Sequence, residues 1–265
     1  MGKNNKIWRF TAGEGPLLAA AIHDGHAVRP ELKRWLALSE GERLREEDPY
    51  TGAWTDIAGN RIVGTHSRFQ VDLNRPPESA VYRTPEDAWG MQVWKESLPD
   101  DVAERSLAEH SAFYTATRGL LEEVEKAYGC FFVYDLHSYN HRREGREGRA
   151  ADPKDNPEVN IGTGSMDRTY WAPVVDRLIA QLSMVDFMGR RLDVRENVKF
   201  RGGYFPRWIH ATFPRSGCAV AIEFKKIFMD EWSGELDQEC YGAILRALES
   251  TVPVVNDALA KLKHT

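Results

Sequence analysis

Two histidines occupy positions where a fold can make use of them. His23 lies in His23-Asp24-Gly25-His26, after the apolar run at residues 17–22, and His137 lies in Asp135-Leu136-His137-Ser138, after the run at 130–134. Each run has the length and composition of a buried strand. Neighbouring strands of one sheet would bring the two exits together. Two imidazoles and one carboxylate make a catalytic zinc site with an open position for water. Asp24, Glu46, Glu47, Asp48 and Asp135 are the candidate carboxylates. His26 follows His23 by three residues, so both could reach one metal from a tight loop, or His26 could contact a substrate.

Glu223 follows the apolar residues 219–222. A carboxylate at the end of such a run is expensive to bury without a role. As a general base it would take a proton from metal-bound water; otherwise it would pair with Lys225, Lys226 or a nearby arginine. Residues 67–75 carry Arg68, Asn74 and Arg75 around an alternation of Phe69, Val71 and Leu73 with polar residues. Arginine forks suit a substrate carboxylate or a developing oxyanion. In a regular strand Arg68 and Arg75 would face opposite sides, so a bulge or a strand end is needed to aim both at one site. Cys130, Cys218 and Cys240 are widely spaced and lack a base beside them, which argues against thiol catalysis and for a reducing compartment.

The elements that must position these groups follow from periodicity and punctuation. Strands are predicted at 7–10, 17–22, 61–65, 69–73, 130–134 and 219–222. Helical spacing covers 30–38, and Ser39 with Glu42 forms a capping-box signal for a helix through Arg45. Pro49 ends that stretch, because it disfavours helix at Asp48. Further helices are predicted at 98–128, stopped by Gly129, at 172–184 and at 239–263. The Pro-rich stretch 76–87 reads as loop, and Gly202-Gly203 as a close-packed turn. Residues 140–158 carry Arg142, Arg143, Arg146 and Arg149 and read as a mobile surface loop or a substrate lid. Strands alternating with helices, with no repeat and no linker, indicate one α/β domain over residues 1–265.

Composition narrows the function classes. The 265 residues are 42% hydrophobic and 28% charged, ordinary for a globular chain. A formal charge of −5 argues against a nucleic-acid partner. No apolar run approaches the roughly 20 residues of a membrane span. The first ten residues show no signal core, and Lys6 stands where a myristoylation signal wants Ser or Thr. A cytoplasmic protein is expected.

His23-Asp24-Gly25, Ser67-Arg68 with Asp72-Leu73-Asn74-Arg75, Asp135-Leu136-His137-Ser138, Gly202-Gly203 and Ile222-Glu223 together resemble the N-formylglutamate amidohydrolase family in order and spacing, from about residue 16 to 232. The Asp-Leu-Asn-Arg stretch is also similar to that of aspartoacylase and succinylglutamate desuccinylase, distant relatives with a zinc carboxypeptidase-like fold. The resemblance implies a single three-layer α/β/α domain with a mixed central sheet and one zinc ion, a site that other divalent metals could also fill. It implies that His23 and His137 are metal ligands. The aspartoacylase-like relatives use His-x-x-Glu, and His26 stands here in place of the glutamate, so Asp48 and His26 are rivals for the third ligand, with Glu47 behind them. Glu223 matches the general base. Arg68, Asn74 and Arg75 match groups that polarise the scissile carbonyl and bind the substrate carboxylate, with Arg68 at the oxyanion and Arg75 on the amino-acid carboxylate. The implied reaction is hydrolysis of the N-acyl, foremost N-formyl, amide of a small-molecule amino acid such as N-formylglutamate. The alternatives are a zinc peptidase or amidase for another acyl amino acid or peptide, and a non-catalytic ligand-binding member of the fold.

Overall fold

The computed structural model describes residues 6–262. The start of the chain through residue 5 and the expected end of the last helix at Lys263 lie outside the described residues. One seven-stranded sheet organises the rest. Its strands are β1 (Trp8–Thr11), β2 (Leu17–Ala21), β3 (Asn60–Gly64), β4 (Phe131–Tyr139), β5 (Val159–Gly162), β6 (Val194–Glu196) and β7 (Gly217–Lys225). The spatial order is β1-β3-β2-β4-β7-β5-β6. Strands β3, β2, β4 and β7 run parallel; β1 and the β5–β6 pair run against them. The sheet is therefore mixed, as expected.

Six α-helices accompany the sheet: α1 (Glu40–Glu46), α2 (Thr51–Trp54), α3 (Asp100–Tyr128), α4 (Ala172–Met184), α5 (Tyr204–Thr212) and α6 (Gln238–Leu262). Successive β2 residues point to opposite faces. Leu17 and Ala19 join a core with α4, α6 and Trp54, while Leu18 and Ala20 join a core with α3 and α5. Two apolar cores on the two faces of one sheet make three layers. Among the described residues no helix is long and apolar enough to cross a membrane. All three cysteines are buried.

The topology creates the crevice. From β2 the chain goes to β3 on one side, then crosses to β4 on the other. Beyond the carboxyl ends of two such diverging strands a cleft is left open, and open α/β sheets bind ligands there. His23 leaves β2 at this point, and His137 sits in the neighbouring β4.

Several local expectations hold. Ser39 and Glu42 form the capping box of α1, and Gly129 ends α3 at φ 78°. Helix α4 spans the expected residues. Two do not hold. Residues 30–38 form only a 3-10 turn, Pro30–Leu32. Beyond it, Ala37 N–H donates to Val93 O and Lys95 N–H to Trp35 O, so pairing with a distant segment takes the place of a helix. Residues 69–73 are a chain of turns, with Gln70 N–H bonded to Ser67 O and Asp72 N–H to Ala80 O. The alternation suggested a half-exposed strand, but Gln70 and Asp72 are as buried as Phe69 and Val71. Strand β4 also runs on to Tyr139, so His137 lies within the strand and not at its exit. Strand β6 and helix α5 carry no clear sequence signal.

The loop bearing His23 passes close to the end of β3. A Cβ on Gly25 would fall inside contact distance of the Thr65 carbonyl carbon and the His66 nitrogen, both backbone atoms. Gly25→Ala should cost about 1–3 kcal/mol through overpacking, seen as a lower urea midpoint. An unchanged midpoint would refute this close passage.

Candidate metal centre and cleft

Sheet register aligns the side chains. His137 on β4 stands beside Glu223 on β7, and Glu223 stands beside Asn160 on β5. The His23 and His137 rings lie 5.0 Å apart. Asp48 arrives from the end of α1, and its N–H donates to His23 O at 3.0 Å. The buried Lys226 donates to Arg45 O and Glu47 O, at 2.6 and 2.8 Å, which fastens the same turn from the β7 side.

His23, Asp48 and His137 are all buried, and one ligand atom of each lies within 4.8 Å of the others. Asp48 Oδ2 is 2.9 Å from His137 Nδ1 and 3.5 Å from His23 Nδ1. The far nitrogens are equally constrained. His23 Nε2 is 2.8 Å from Asp72 Oδ1, and His137 Nε2 is 3.0 Å from Asp135 Oδ1. An ionised carboxylate only accepts, so each Nε2 carries the proton. Each Nδ1 therefore faces the shared point, the arrangement that orients metal-binding imidazoles. Two imidazole nitrogens and a carboxylate oxygen suit zinc or another divalent cation, so the donor set fits a metal.

The electrostatics favour positive charge at this point. Burial pushes the Asp48 carboxyl up, but hydrogen bonds from His137 and His23 outweigh it and hold Asp48 well below the carboxylate range. Burial pushes His137 down, but Asp135 and Glu223 beside it hold it well above the usual imidazole range. Without a metal, a proton on His137 supplies the cation that these carboxylates require. Glu223 behaves differently. Burial lifts it to about 7, against the pull of His137.

Asp72 joins the histidine–aspartate cluster to the arginines. It accepts from His23, from Arg68 at 2.7 Å, from the Tyr82 hydroxyl and from Asn74 N–H at 2.8 Å. Arg68 also donates to Tyr82 Oη at 3.1 Å and lies over the Trp89 ring. Arg75 Nε is 3.7 Å from Asp72, so turns at 69–73 bring both arginines to one carboxylate, which a regular strand would not have done. Asn74 Oδ1 accepts from Phe205 N–H at 2.9 Å, and Gly203 leaves the room for it, since a Cβ there would overlap the amide.

A cleft of about 230 Å³ opens over these groups. His23, Asp48, His137, Glu223, Arg68 and Asn74 line it. His26 and Arg75 do not. His26 is partly exposed and pairs with Glu47, so neither belongs to the cluster. The Arg75 guanidinium donates to Asp87 O and lies over Tyr82. Asp24 accepts from Gly52 N–H on the far side of its loop, and burial raises it to about 6. Asp72 lies inside the Asp-Leu-Asn-Arg stretch, but only its burial distinguishes it from a solvent-facing strand residue. Arg143, Arg201 and Lys226 also line the cleft. A separate pair, Ser165 Oγ and His210 Nδ1 at 2.9 Å, is not an activated nucleophile. Ala219 N–H donates to His210 Nε2, so Nδ1 holds the proton and donates to the serine.

The sequence model of the N-formylglutamate amidohydrolase family matches residues 15–229. Among curated proteins none matches in sequence. Among solved structures, N-formylglutamate amidohydrolase from Ralstonia eutropha JMP134 aligns with a TM-score of 0.74 at 16% identity, covering 96% of this chain and 98% of that one. A gene product of Agrobacterium tumefaciens aligns with a TM-score of 0.68 at 18% identity, covering 98% and 97%. Likeness at these identities speaks for a shared fold. A metallo-carboxypeptidase from Burkholderia cenocepacia reaches a TM-score of only 0.36, at 15% identity over 91% of this chain and 56% of that one, too slight to argue from. With its residues 15–229 matched by the family's sequence model, the chain belongs to the N-formylglutamate amidohydrolase family.

Proposed function

We propose that the protein is a metal-dependent amidohydrolase that removes the N-formyl group from an amino acid such as N-formylglutamate. The observation that carries this reading is the buried His23–Asp48–His137 cluster with Glu223 beside it in an open cleft. His23 Nδ1, His137 Nδ1 and an Asp48 oxygen would hold one zinc or similar ion. When bound, such an ion polarises the amide carbonyl and acidifies a water, whose pKa falls to about 7.

The remaining work falls to the side chains. Glu223 accepts a proton from the attacking water and returns it to the leaving amine. The new bond joins water oxygen to the formyl carbon, the C–N bond breaks, and formate and a free amino acid leave. Arg68, fixed by Asp72 and Tyr82, presents its guanidinium to the developing oxyanion. Asn74 spends Oδ1 on Phe205, so its Nδ2 donors are the end offered to a substrate carboxylate. Arg75 acts at one remove, bracing Tyr82 and the loop at Asp87. The whole chain is read as one domain, because all strands of the described residues share one sheet.

Metal analysis alongside formate release from N-formyl-L-glutamate tests this reading. Wild type should carry about one metal per chain and release formate. His137→Ala should lose both. Glu223→Gln should keep the metal and lose about 10²–10⁴-fold in turnover. Absence of metal even after its addition would sink the hydrolase reading, whereas metal without formate release would redirect it to another acyl amino acid. Asp135→Asn and Asp72→Asn should each weaken metal affinity by about 10–100-fold, read by chelator competition; unchanged affinity would deny these aspartates an orienting role.

Acidity gives a further expectation. Glu223 must be ionised to act, so kcat/KM should fall as pH drops through its pKa. Without metal that value is about 7. A bound cation favours the carboxylate and lowers it, so the acid limb should lie between the ordinary 4.5 and about 7. A flat profile across that window would rule out Glu223 as the base.

A further inference from the structure

Four cations line the cleft, and they are not equally committed: Arg68, Arg143, Arg201 and Lys226. Arg68 is bound to Asp72, and Lys226 to two carbonyls of the α1 turn. Among the described residues Arg143 is held only by Glu46, with Nη2 3.5 Å from Oε2, longer than a good charge-assisted hydrogen bond. Its side chain is 54% exposed, while that of Glu46 is only 5% exposed. Glu46 has a closer second partner, Arg45, at 3.1 Å. Release of Arg143 would therefore not leave Glu46 buried and unpaired, the outcome that makes breaking most buried pairs costly.

The chain just before Arg143 is tied down. Glu231 accepts from the N–H groups of His141 and Arg142. Arg142 O accepts from Arg45 and from the Trp232 indole, and the Arg45 guanidinium lies 3.9 Å over the Trp232 ring. Arg143 is thus the first residue past a fixed anchor, with a long side chain reaching the cleft. The sequence left 140–158 as surface loop or lid; its base is anchored, and one arginine is poised to move.

We propose that Arg143 recognises a carboxylate on the side chain of the substrate amino acid, and that Glu46 holds Arg143 in readiness until that carboxylate displaces it. This rests on the amidohydrolase reading and assigns its side-chain specificity. The exchange is favourable because a guanidinium can bind a carboxylate through two parallel hydrogen bonds in place of one long contact. Asn74 and Arg201 remain for the α-carboxylate.

The test uses the metal-loaded full chain and two product-side probes, L-glutamate and L-glutamine, with affinities measured by calorimetry. Wild type should prefer glutamate by about tenfold or more, as expected for one charge-assisted contact. Arg143→Ala should bring the two affinities within about twofold, at unchanged metal content, and Arg143→Lys should keep part of the preference. Glu46→Gln should tighten glutamate binding several-fold by freeing Arg143. No preference in wild type, or the full preference retained in Arg143→Ala, would overturn the inference. Formate release by wild type is scored separately. A metal-loaded chain that prefers glutamate through Arg143 but releases no formate would redirect the formyl assignment to another acyl group while upholding the recognition.

Discussion

Negative charge buried on the floor of a cleft is the constraint on which the structure depends. Asp48, Asp72 and Asp135 are buried around two imidazoles, and Glu223 lines the cleft beside them. An isolated buried carboxylate costs several kcal/mol, so each needs a positive or donating partner. Asp135 has His137, Asp72 has Arg68, Tyr82 and His23, and Asp48 has both histidines. Asp72 and Asp135 hold the rings from the Nε2 side, and only the two Nδ1 atoms and Asp48 meet at one point. A cation there completes the balance. A proton can serve, but a divalent ion matches the donors better.

The scaffold is arranged to keep that balance rigid. Parallel β2, β4 and β7 deliver His23, His137 and Glu223 at one edge, and backbone register sets His137 opposite Glu223. Asp48 comes from outside the sheet and is held at three places: the α1 capping box upstream, its own N–H on His23 O, and Lys226 beneath the turn. Lys226 is itself held down to about 8 by burial. Its ammonium compensates the last carbonyls of α1, which have no partner within the helix. The same contacts that fix Asp48 beside the two histidines thus end the helix.

Around this rigid centre the cleft wall grades from committed to uncommitted charge. Arg68 is bonded on three sides, and Asp72 beside it, lifted by burial, is held well below the carboxylate range chiefly by that arginine. A group so held costs little to reorganise when charge develops nearby, which is what stabilises an oxyanion. Arg143 and Arg201 stand further out. Exposed Trp89, in a left-handed conformation at φ 55°, closes part of the rim against Arg68. In the proposed function the fixed groups do the chemistry and the adaptable ones the selection.

The sequence by itself determined the parts governed by local rules. Apolar runs marked β2 and the start of β4, and with them the neighbourhood of His23 and His137. The capping box and Gly129 bounded helices, because caps act within a few residues. Long-range order decided the rest. Residues 69–73 have the alternation of a strand, yet Gln70 and Asp72 are buried because Arg29 and Glu109 receive the one, and His23 and Arg68 the other. No local period records such partners. Asp48 and His26 were rivals in the chain; in space Asp48 meets both histidines and His26 turns to Glu47. That choice was made by the path of α1 and its fastening to β7, contacts between residues some 180 positions apart. Spacing in sequence can propose donors for a metal, but only packing brings three of them within reach of one ion.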